Sequence, residues 1–206
     1  EDTYPAETEG LIYEIGEDGT YAVCIGLGDA TTDDIVIAST YEGLPVTVIG
    51  ESAFEESAIT SVVIPSTVTT IDESAFMSCS ALTSVIISDS VVFIGDSAFD
   101  CCENLKTVSF GEDSQLRTIG EYAFVDCSIE SIFIPARVAY IGSDAFYGSL
   151  VSLKKLYYGG DQSDWDNIEM LDEQGVAYAT CYYYSEIAPT ESGNYWHYVD
   201  GVVTKW

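Results

Sequence analysis

Residues 59–79 read I-T-S-V-V-I-P-S-T-V-T-T-I-D-E-S-A-F-M-S-C, and the rest of the chain is organised around this stretch. The same apolar frame returns in residues 82–102, which read L-T-S-V-I-I-S-D-S-V-V-F-I-G-D-S-A-F-D-C-C. Because neighbouring segments share one spacing of apolar residues, we expect the chain to be built from a repeated structural unit.

An Ala-Phe pair marks each copy of the unit. The phenylalanines are spaced 22, 23, 25 and 22 residues apart, and an isoleucine precedes each one at a constant distance. A period of about 23 falls within the range of leucine-rich repeats, in which single units cannot bury their apolar face and must stack. The phenylalanines are Phe54, Phe76, Phe99, Phe124 and Phe146, and the isoleucines are Ile49, Ile71, Ile94, Ile119 and Ile141.

Each copy should also contain a short strand built on a trio of mostly apolar residues. Side chains alternate along a strand, so the outer two residues of a trio should face the core and the middle one the opposite side. In a horseshoe the middle residues would line the concave face. They are Val36, Val63, Ile86, Ser109, Phe133 and Tyr157, and a second, mostly small polar column precedes them at Ser61, Ser84, Thr107, Ser131 and Lys155.

The segment that leads to each Ala-Phe pair is expected to form a short helix or 3₁₀ turn, because serine and acidic residues precede the pair. Glycine follows the repeated isoleucine in four of five copies, which predicts a left-handed backbone at that point. The expected fold class is therefore an α/β repeat, a right-handed leucine-rich-repeat solenoid shaped as a short arc, with β-hairpin caps at both ends.

Turn signals predict the two hairpins. G-E-D-G at residues 16–19 and D-G at residues 200–201 each lie between alternating segments. Caps are needed because the end coils of a solenoid would otherwise expose an unpaired apolar edge. An acidic N-cap before Trp165 predicts a helix over the last coil. The expected division is an N-terminal cap at residues 1–34, repeats at 35–170 and an aromatic C-terminal cap or tail at 171–206.

The chain is strongly acidic, with six Lys and Arg against 35 Asp and Glu and a formal net charge of −29. Nucleic-acid binding is excluded, because it needs basic residues to neutralise phosphates, and an anionic membrane surface is disfavoured for the same reason. No run of 18 apolar residues occurs, so no membrane insertion is expected. The acidity is interpreted as a source of solubility. Calcium binding is left as an alternative, although no loop has the ligand spacing that calcium sites require.

Three of the six cysteines, Cys79, Cys102 and Cys127, occupy one repeat position, where other copies hold Ser57 and Ser149. This favours small buried side chains over disulfides or metal ligands. The only histidine, His197, is interpreted as a hairpin residue, and no nucleophile, zinc or nucleotide motif occurs. We therefore expect no enzyme, no catalytic residue, no metal and no cofactor.

The pattern V-x-I-P-x-x-V-x-x-I-G-x-x-A-F-x-x-C, present at residues 62–79 with Asp72 in place of its Gly, resembles the BspA-type (Treponema pallidum-type) leucine-rich repeat. The resemblance covers about residues 35–168, and Ser88 and Gly111 depart from its Pro. The ending L-Y-Y-G-G-D-Q-S-D-W-D-N-I is similar to terminal repeats of that family in gut Firmicutes. The resemblance implies a bacterial protein that is extracellular or on the cell surface, with its signal peptide removed.

Two functions are expected. The first is binding of a protein or glycan on a host or bacterial surface, as in adhesion, through the middle-residue column or through an aromatic tail with Tyr195, Trp196 and Tyr198 as candidates. The alternative is a structural spacer that displays other domains. An apolar stripe rimmed by small polar residues favours binding, whereas β-propensity alone would also explain the column, and a cap explains the tail better than a ligand site does.

Overall fold

Successive coils of the chain stack in register, and most coils contribute a longer strand, a two-residue strand and a run of tight turns. The computed structural model describes residues 6–148, 153–170, 176, 179–190, 192–199 and 202–206. In chain order the first strands are β1 (Ile12–Ile15), β2 (Ala22–Gly26), β3 (Asp34–Val36), β4 (Thr40–Tyr41), β5 (Leu44–Ile49), β6 (Ser61–Val63), β7 (Thr70–Ile71), β8 (Ser84–Ile87) and β9 (Phe93–Ile94). They are followed by β10 (Thr107–Phe110), β11 (Thr118–Ile119), β12 (Ser131–Ile134), β13 (Tyr140–Ile141), β14 (Lys155–Tyr158), helix α1 (Gln162–Trp165), β15 (Glu169–Met170), β16 (Thr180–Tyr184), β17 (Tyr195–Val199) and β18 (Val202–Lys205).

The predicted trios lie on strands that pair in parallel along the solenoid. They form two sheets, one in the order β10-β8-β6-β3 and the other in the order β12-β14-β16-β17-β18. Alternation along the strands is as predicted, since Val62 and Ile64 are buried while Val63 between them is partly exposed. The repeat frame therefore confirms a stacked solenoid in which each trio turns one side chain away from the core.

A third sheet, parallel except at β1 and β4, runs through the repeated isoleucines, and the sequence analysis did not predict it. Its order is β1-β2-β5-β7-β9-β11-β13-β15, with β4 attached to β5. Ile49, Ile71 and Ile94 are direct neighbours in this ladder, and none of them is exposed. Strand pairing thus joins neighbouring coils on two sides rather than one, except between the coils of β10 and β12, where only the isoleucine sheet is continuous.

The Ala-Phe segments are neither helices nor 3₁₀ turns, so this expectation was wrong. In the copy around Phe76, the residues two before and two after it, Ser74 and Ser78, have φ values of 55° and 58°. This alternation rules out a helix and produces consecutive tight turns, while the Phe76 amide donates to the Ala98 carbonyl of the next coil at 2.8 Å. Among the described residues the one α-helix is α1, so the structure is a β-solenoid and lacks the repeated helix of an α/β unit.

The left-handed positions also differ from those predicted. Positive φ values recur two residues on either side of each repeated phenylalanine, whereas the glycines after the isoleucines have no positive φ. Those glycines serve close packing instead, because a Cβ on Gly142 would lie 2.4 Å from the backbone nitrogen of Glu121 in the preceding coil. The absent side chain lets consecutive coils approach each other.

Five stacked rings run along the core as one phenylalanine column, which consists of Phe54, Phe76, Phe99, Phe124 and Phe146. Neighbouring ring centroids lie 5.2, 5.1, 5.3 and 5.5 Å apart, and the planes differ by 6° at most. Every ring is exposed by 1% or less. The rings therefore have the same spacing as the coils, since each coil stacks one ring on the ring of the previous coil.

Hairpins lie at both ends of the described structure. Strands β1 and β2 pair antiparallel, and Tyr13 of β1 stacks on Tyr41 with ring centroids 5.2 Å apart. Strands β17 and β18 also pair antiparallel, although the turn predicted at residues 200–201 lies outside the described residues. Both predicted hairpins are confirmed as strand pairs.

The predicted helix over the last coil is α1, and reciprocal capping fixes its start. The Asp164 amide donates to Asp161 Oδ1 at 2.9 Å, and the Asp161 amide donates to Asp164 Oδ2 at 3.3 Å. Trp165 is nearly buried against Tyr158, with ring centroids 5.2 Å apart. This capping box satisfies amides that a helix start leaves without partners.

Candidate binding surface

The six middle residues of the trios form what we call the outward column: Val36, Val63, Ile86, Ser109, Phe133 and Tyr157. Strand register aligns the first four, because Val63 pairs with Val36 and with Ile86, and Ile86 pairs with Ser109. Phe133 and Tyr157 pair with each other in the second sheet. The structure therefore brings the predicted residues together as two aligned groups.

The first group, Val36 to Ser109, is open to solvent and is called the open half. Ile86 is exposed by 69%, and Val36 and Val63 are partly exposed beside it. A cleft of about 310 Å³ is lined by Val36 and Val63, and a second cleft of about 450 Å³ is lined by Val63 and Ile86. Because Val63 lines both clefts, the two clefts adjoin along the column, and we refer to them together as the groove.

Carboxylates lie on the walls of this groove. Glu7 lines the first cleft and Asp89 the second. At the edge of the open half, Asp34 Oδ1 accepts hydrogen bonds from Ser61 Oγ at 2.6 Å and from Thr60 Oγ1 at 2.9 Å. These two bonds lower the pKa of Asp34, with the larger effect from Ser61. The groove thus combines an apolar floor with an acidic surround.

The predicted second column is a polar border that runs beside both groups of the outward column, with Ser61, Ser84 and Thr107 beside the open half and Ser131 and Lys155 beside Phe133 and Tyr157. Ser84, Thr107, Ser131 and Lys155 are exposed, and Ser61 is partly exposed. Ser84 pairs with Ser61 and with Thr107, so this column is as straight as the outward one. Small polar side chains here leave the neighbouring apolar residues accessible.

The second group, Phe133 and Tyr157, is called the covered half because aromatic residues of the C-terminal strands pack on it. Tyr157 stacks on Tyr182 with centroids 5.2 Å apart, and Phe133 meets the edge of Trp196 at 5.6 Å. Tyr182 continues the outward column, since it pairs with Tyr157 in register. The sequence analysis did not include Tyr182 in the column, and the three consecutive tyrosines at residues 182–184 carry no alternation that would have distinguished it.

The three tail candidates differ in accessibility. Trp196 is fully buried, and its Nε1 donates to the Tyr158 carbonyl at 2.8 Å. Tyr195 and Tyr198 are partly exposed. Trp196 therefore supports the surface from beneath, while the two tyrosines reach it.

The repeated cysteines are buried, and their thiols donate hydrogen bonds to carbonyls of the preceding coil. Cys79 Sγ reaches the Phe54 carbonyl at 3.0 Å, and Cys102 Sγ reaches that of Phe76 at 3.1 Å. The pKa of Cys102 is raised by its hydrogen bond with Cys79 and by burial, and burial raises the pKa of Cys127. The thiols of Cys102 and Cys127, which are held in the protonated state, are poor nucleophiles and poor metal ligands, whereas the hydrogen bond with Cys102 lowers the pKa of Cys79.

The one histidine has a packing position rather than a catalytic one. The ring centroid of His197 lies 3.7 Å from that of Trp206, and its Nδ1 is buried without a hydrogen bond in the described structure. Within the described ranges, no three His, Cys, Asp or Glu side chains are grouped so that they could hold a metal ion. Within the same ranges, no helix is long and apolar enough to cross a membrane.

Comparison with known proteins identifies the repeat. The family described as BspA type leucine rich repeat region matches residues 36–161 in six copies. The leucine-rich repeat protein of T. pallidum has a similar structure, with a TM-score of 0.67 and 26% identity over 74% of this chain and 71% of its own. Curated proteins include no match to the chain.

Two further solved structures are similar. A leucine-rich repeat protein from Bacteroides capillosus is 30% identical over 75% of this chain and 98% of its own, with a TM-score of 0.48. The pneumococcal vaccine antigen PcpA is 22% identical over 74% of this chain and 49% of its own, with a TM-score of 0.53, and this likeness concerns the fold alone.

Proposed function

The chain belongs to the BspA-type leucine-rich repeat family, and from this we propose that it binds a protein partner through the open half of the outward column. Leucine-rich repeat proteins typically mediate protein interactions and are generally not enzymes. We also propose that it acts outside the cell or on its surface, in adhesion to host or bacterial surface molecules. The right-handed coil and the cap boundaries at residues 34 and 170 stay predictions, and the family match itself spans residues 36–161.

One observation carries the proposal, which is the exposure of Ile86 in the middle of an apolar groove. Isoleucine is usually buried, and leaving such a side chain in water forgoes roughly 1.5–3 kcal/mol of transfer free energy. A single exposed apolar residue needs no explanation, but Ile86 is aligned with Val63 and Val36 over two connected clefts. A contiguous apolar patch with a polar border is typical of protein-binding surfaces.

Charge narrows the partner. Glu7 and Asp89 line the groove, and the whole chain carries a formal net charge of −29. A partner with a basic border around an apolar contact would complement this surface. Association should therefore slow as ionic strength rises, because salt screens the attraction between exposed charges.

The experiment compares two isoleucine variants against immobilised extracellular-matrix proteins and a glycan array. Ile86→Ser changes the open half, and Ile187→Ser is the matched control because Ile187 is exposed by 79% outside the column. A partner of the open half should bind Ile86→Ser about tenfold more weakly, as expected for a central apolar contact, and should bind Ile187→Ser normally. Circular dichroism checks that both variants fold.

Other outcomes would reject the proposal. Equal binding by Ile86→Ser and the wild type would place the contact elsewhere. Binding to glycans alone would replace the protein partner with a carbohydrate. If the wild type binds nothing in either panel, the spacer function becomes the better explanation.

A further inference from the structure

A separate cleft of about 240 Å³ lies near the point where the two trio sheets meet, away from the open half. Four aromatic side chains line it together with one carboxylate and two small residues. The lining residues are Glu112, Phe133, Ala136, Gly159, Tyr184, Trp196 and Tyr198. None of them lines the groove of the open half, so this cleft can be tested independently of the proposed function.

The rings of this aromatic cleft are held rigidly around a buried floor. Trp196 forms the floor and meets the rings of Phe133, Tyr184 and Tyr198 edge-on, with centroids 5.6, 5.1 and 4.9 Å away. Its indole is fixed by the hydrogen bond to the Tyr158 carbonyl. The three wall residues are only partly buried and all of them line the cleft, whereas Trp196 beneath them has no solvent-exposed surface.

The cleft has a negative electrostatic character. Glu112 is exposed at its rim, and no basic residue is among the described residues that line it. The pKa of the Tyr198 hydroxyl is raised by burial first and by the nearby Glu112 charge second. Aromatic ring faces also carry partial negative charge, so both components attract cations.

A glycine keeps part of the space open. A Cβ on Gly159 would lie 3.1 Å from Cζ of Phe133 and 2.9 Å from the Ala136 nitrogen. Any side chain at this position would therefore press on the Phe133 ring and narrow the cleft. The available volume is below the range of drug-sized sites, which suits one small head group.

We propose that the aromatic cleft binds a quaternary or methylated ammonium group, with the aromatic walls around its methyl groups and Glu112 as its counter-ion. Cations of this kind are recognised by aromatic cages, because they combine a positive charge with an apolar surface. An uncharged apolar ligand would gain nothing from Glu112. A sugar would need more polar partners than the Glu112 carboxylate and the tyrosine hydroxyls supply.

The test is isothermal titration calorimetry, in which the full chain is titrated with tetramethylammonium chloride and with choline chloride at constant ionic strength. The control ligand is 3,3-dimethylbutan-1-ol, which has the shape of choline without its charge. We expect saturable binding of both ammonium ions and roughly tenfold weaker binding of the alcohol, because cation–π and ion-pair attraction need the charge.

Variants locate the binding. Glu112→Gln should weaken ammonium binding by roughly tenfold, while Asp113→Asn removes the same charge from a neighbouring exposed residue outside the cleft and should change it little. Tyr198→Phe keeps the ring and should retain binding, whereas Tyr198→Leu should lose it. The Glu112 and Asp113 variants change only exposed side chains and should fold normally.

Several results would overturn the proposal. Equal affinity for the alcohol and for choline would show a merely apolar cleft. If Tyr198→Phe loses binding and oligosaccharides compete with the ammonium ions, the cleft is a carbohydrate site that depends on the Tyr198 hydroxyl. Unchanged ammonium binding in both Glu112→Gln and Tyr198→Leu, or no saturable binding at all, would show that the cleft does not bind this group.

Discussion

The open and covered halves of the outward column are built on the same strand position, yet they present different surfaces. Ile86 in the open half is 69% exposed, whereas Phe133 and Tyr157 in the covered half pack against rings from β16 and β17. The repeat determines the direction of a side chain, and the chain outside the repeat determines which other side chains pack against it, although Phe133 and Tyr157 stay partly exposed. Substitutions can therefore test the stability of the scaffold and the accessibility of the surface separately.

The largest effect is expected from Trp196→Ala, which removes the side chain that holds the covered half together. Truncating a fully buried aromatic residue destabilises a protein by about 3–5 kcal/mol through lost burial and the cavity that remains. Here the hydrogen bond to the Tyr158 carbonyl is lost as well. Urea unfolding should show this decrease in the free energy of unfolding.

The matched control for this substitution is Trp206→Ala. Trp206 is half exposed, and its Nε1 donates to the Ser185 carbonyl at 2.8 Å. Its removal should cost less, about 1–2 kcal/mol, because only half of the side chain is buried and one hydrogen bond is lost. Equal losses in the two variants would mean that the covered half does not depend on its buried ring.

A smaller difference should separate two residues that share one repeat position. Tyr157→Ala removes a ring that stacks on Tyr182, and we expect a loss of about 2–3 kcal/mol. Ile86→Ala removes an exposed side chain and should change the free energy of unfolding by less than ~0.5 kcal/mol. Chemical denaturation of both variants measures the contrast, and similar values would show that exposure does not distinguish the two halves.

Much of the scaffold could be predicted from the sequence because its information is local and repeated. The trios correctly predicted the strands, the period of the Ala-Phe pairs correctly predicted the coil repeat, and the acidic N-cap before Trp165 correctly predicted α1. The isoleucine sheet was missed because two-residue strands such as β7 have no pattern of their own. They form only because the neighbouring coil supplies hydrogen-bond partners, and the distance between neighbouring coils cannot be seen in the sequence directly.

The Ala-Phe turns were predicted wrongly for a related reason. Left-handed residues are usually glycine, but here they include Ser74, Cys101 and Tyr122, whose types give no signal. Hydrogen bonds to the next coil hold them in place, as at Ser74, whose amide donates to the Asp96 carbonyl at 2.9 Å. The candidate surface was likewise only half predictable, since Tyr182 reaches the column through the parallel pairing of β16 with β14.

Alkaline pH should weaken the end of the molecule beside the covered half. Burial, with smaller contributions from Asp164 and Asp161, raises the pKa of Tyr158 from 10.0 to about 12. The folded state favours the neutral phenol, so its contribution is complete below pH 10 and is lost as pH rises through about 12. This loss of stability should be smaller than the losses caused by Trp196→Ala and Tyr157→Ala, because solvent screens part of the electrostatic effect on Tyr158.

The Tyr158→Phe variant isolates this contribution from other buried acids. Cys24, at the opposite end, also has a pKa raised to about 12 by burial, so the wild type will lose stability from several groups at once. The difference between the wild type and Tyr158→Phe should therefore be constant up to pH 10 and should shrink only above it. A constant difference up to pH 12 would contradict a buried, neutral Tyr158.

The smallest effect tests what the two halves share, namely the left-handed turns beside the phenylalanine column. Ser74 lies in a coil of the open half and Asp144 lies near the covered half, with φ values of 55° and 53°. Glycine relieves the roughly 1–2 kcal/mol strain of this conformation and loses about 0.5–1 kcal/mol in chain entropy. Ser74→Gly and Asp144→Gly should each raise the free energy of unfolding by about 0.5–1 kcal/mol, whereas Ser66→Gly, outside the left-handed positions, should lower it slightly. Because Asp tolerates the left-handed region better than Ser does, the gain at Asp144 should be the smaller of the two, and a loss of stability in Ser74→Gly would contradict a strained backbone at these turns.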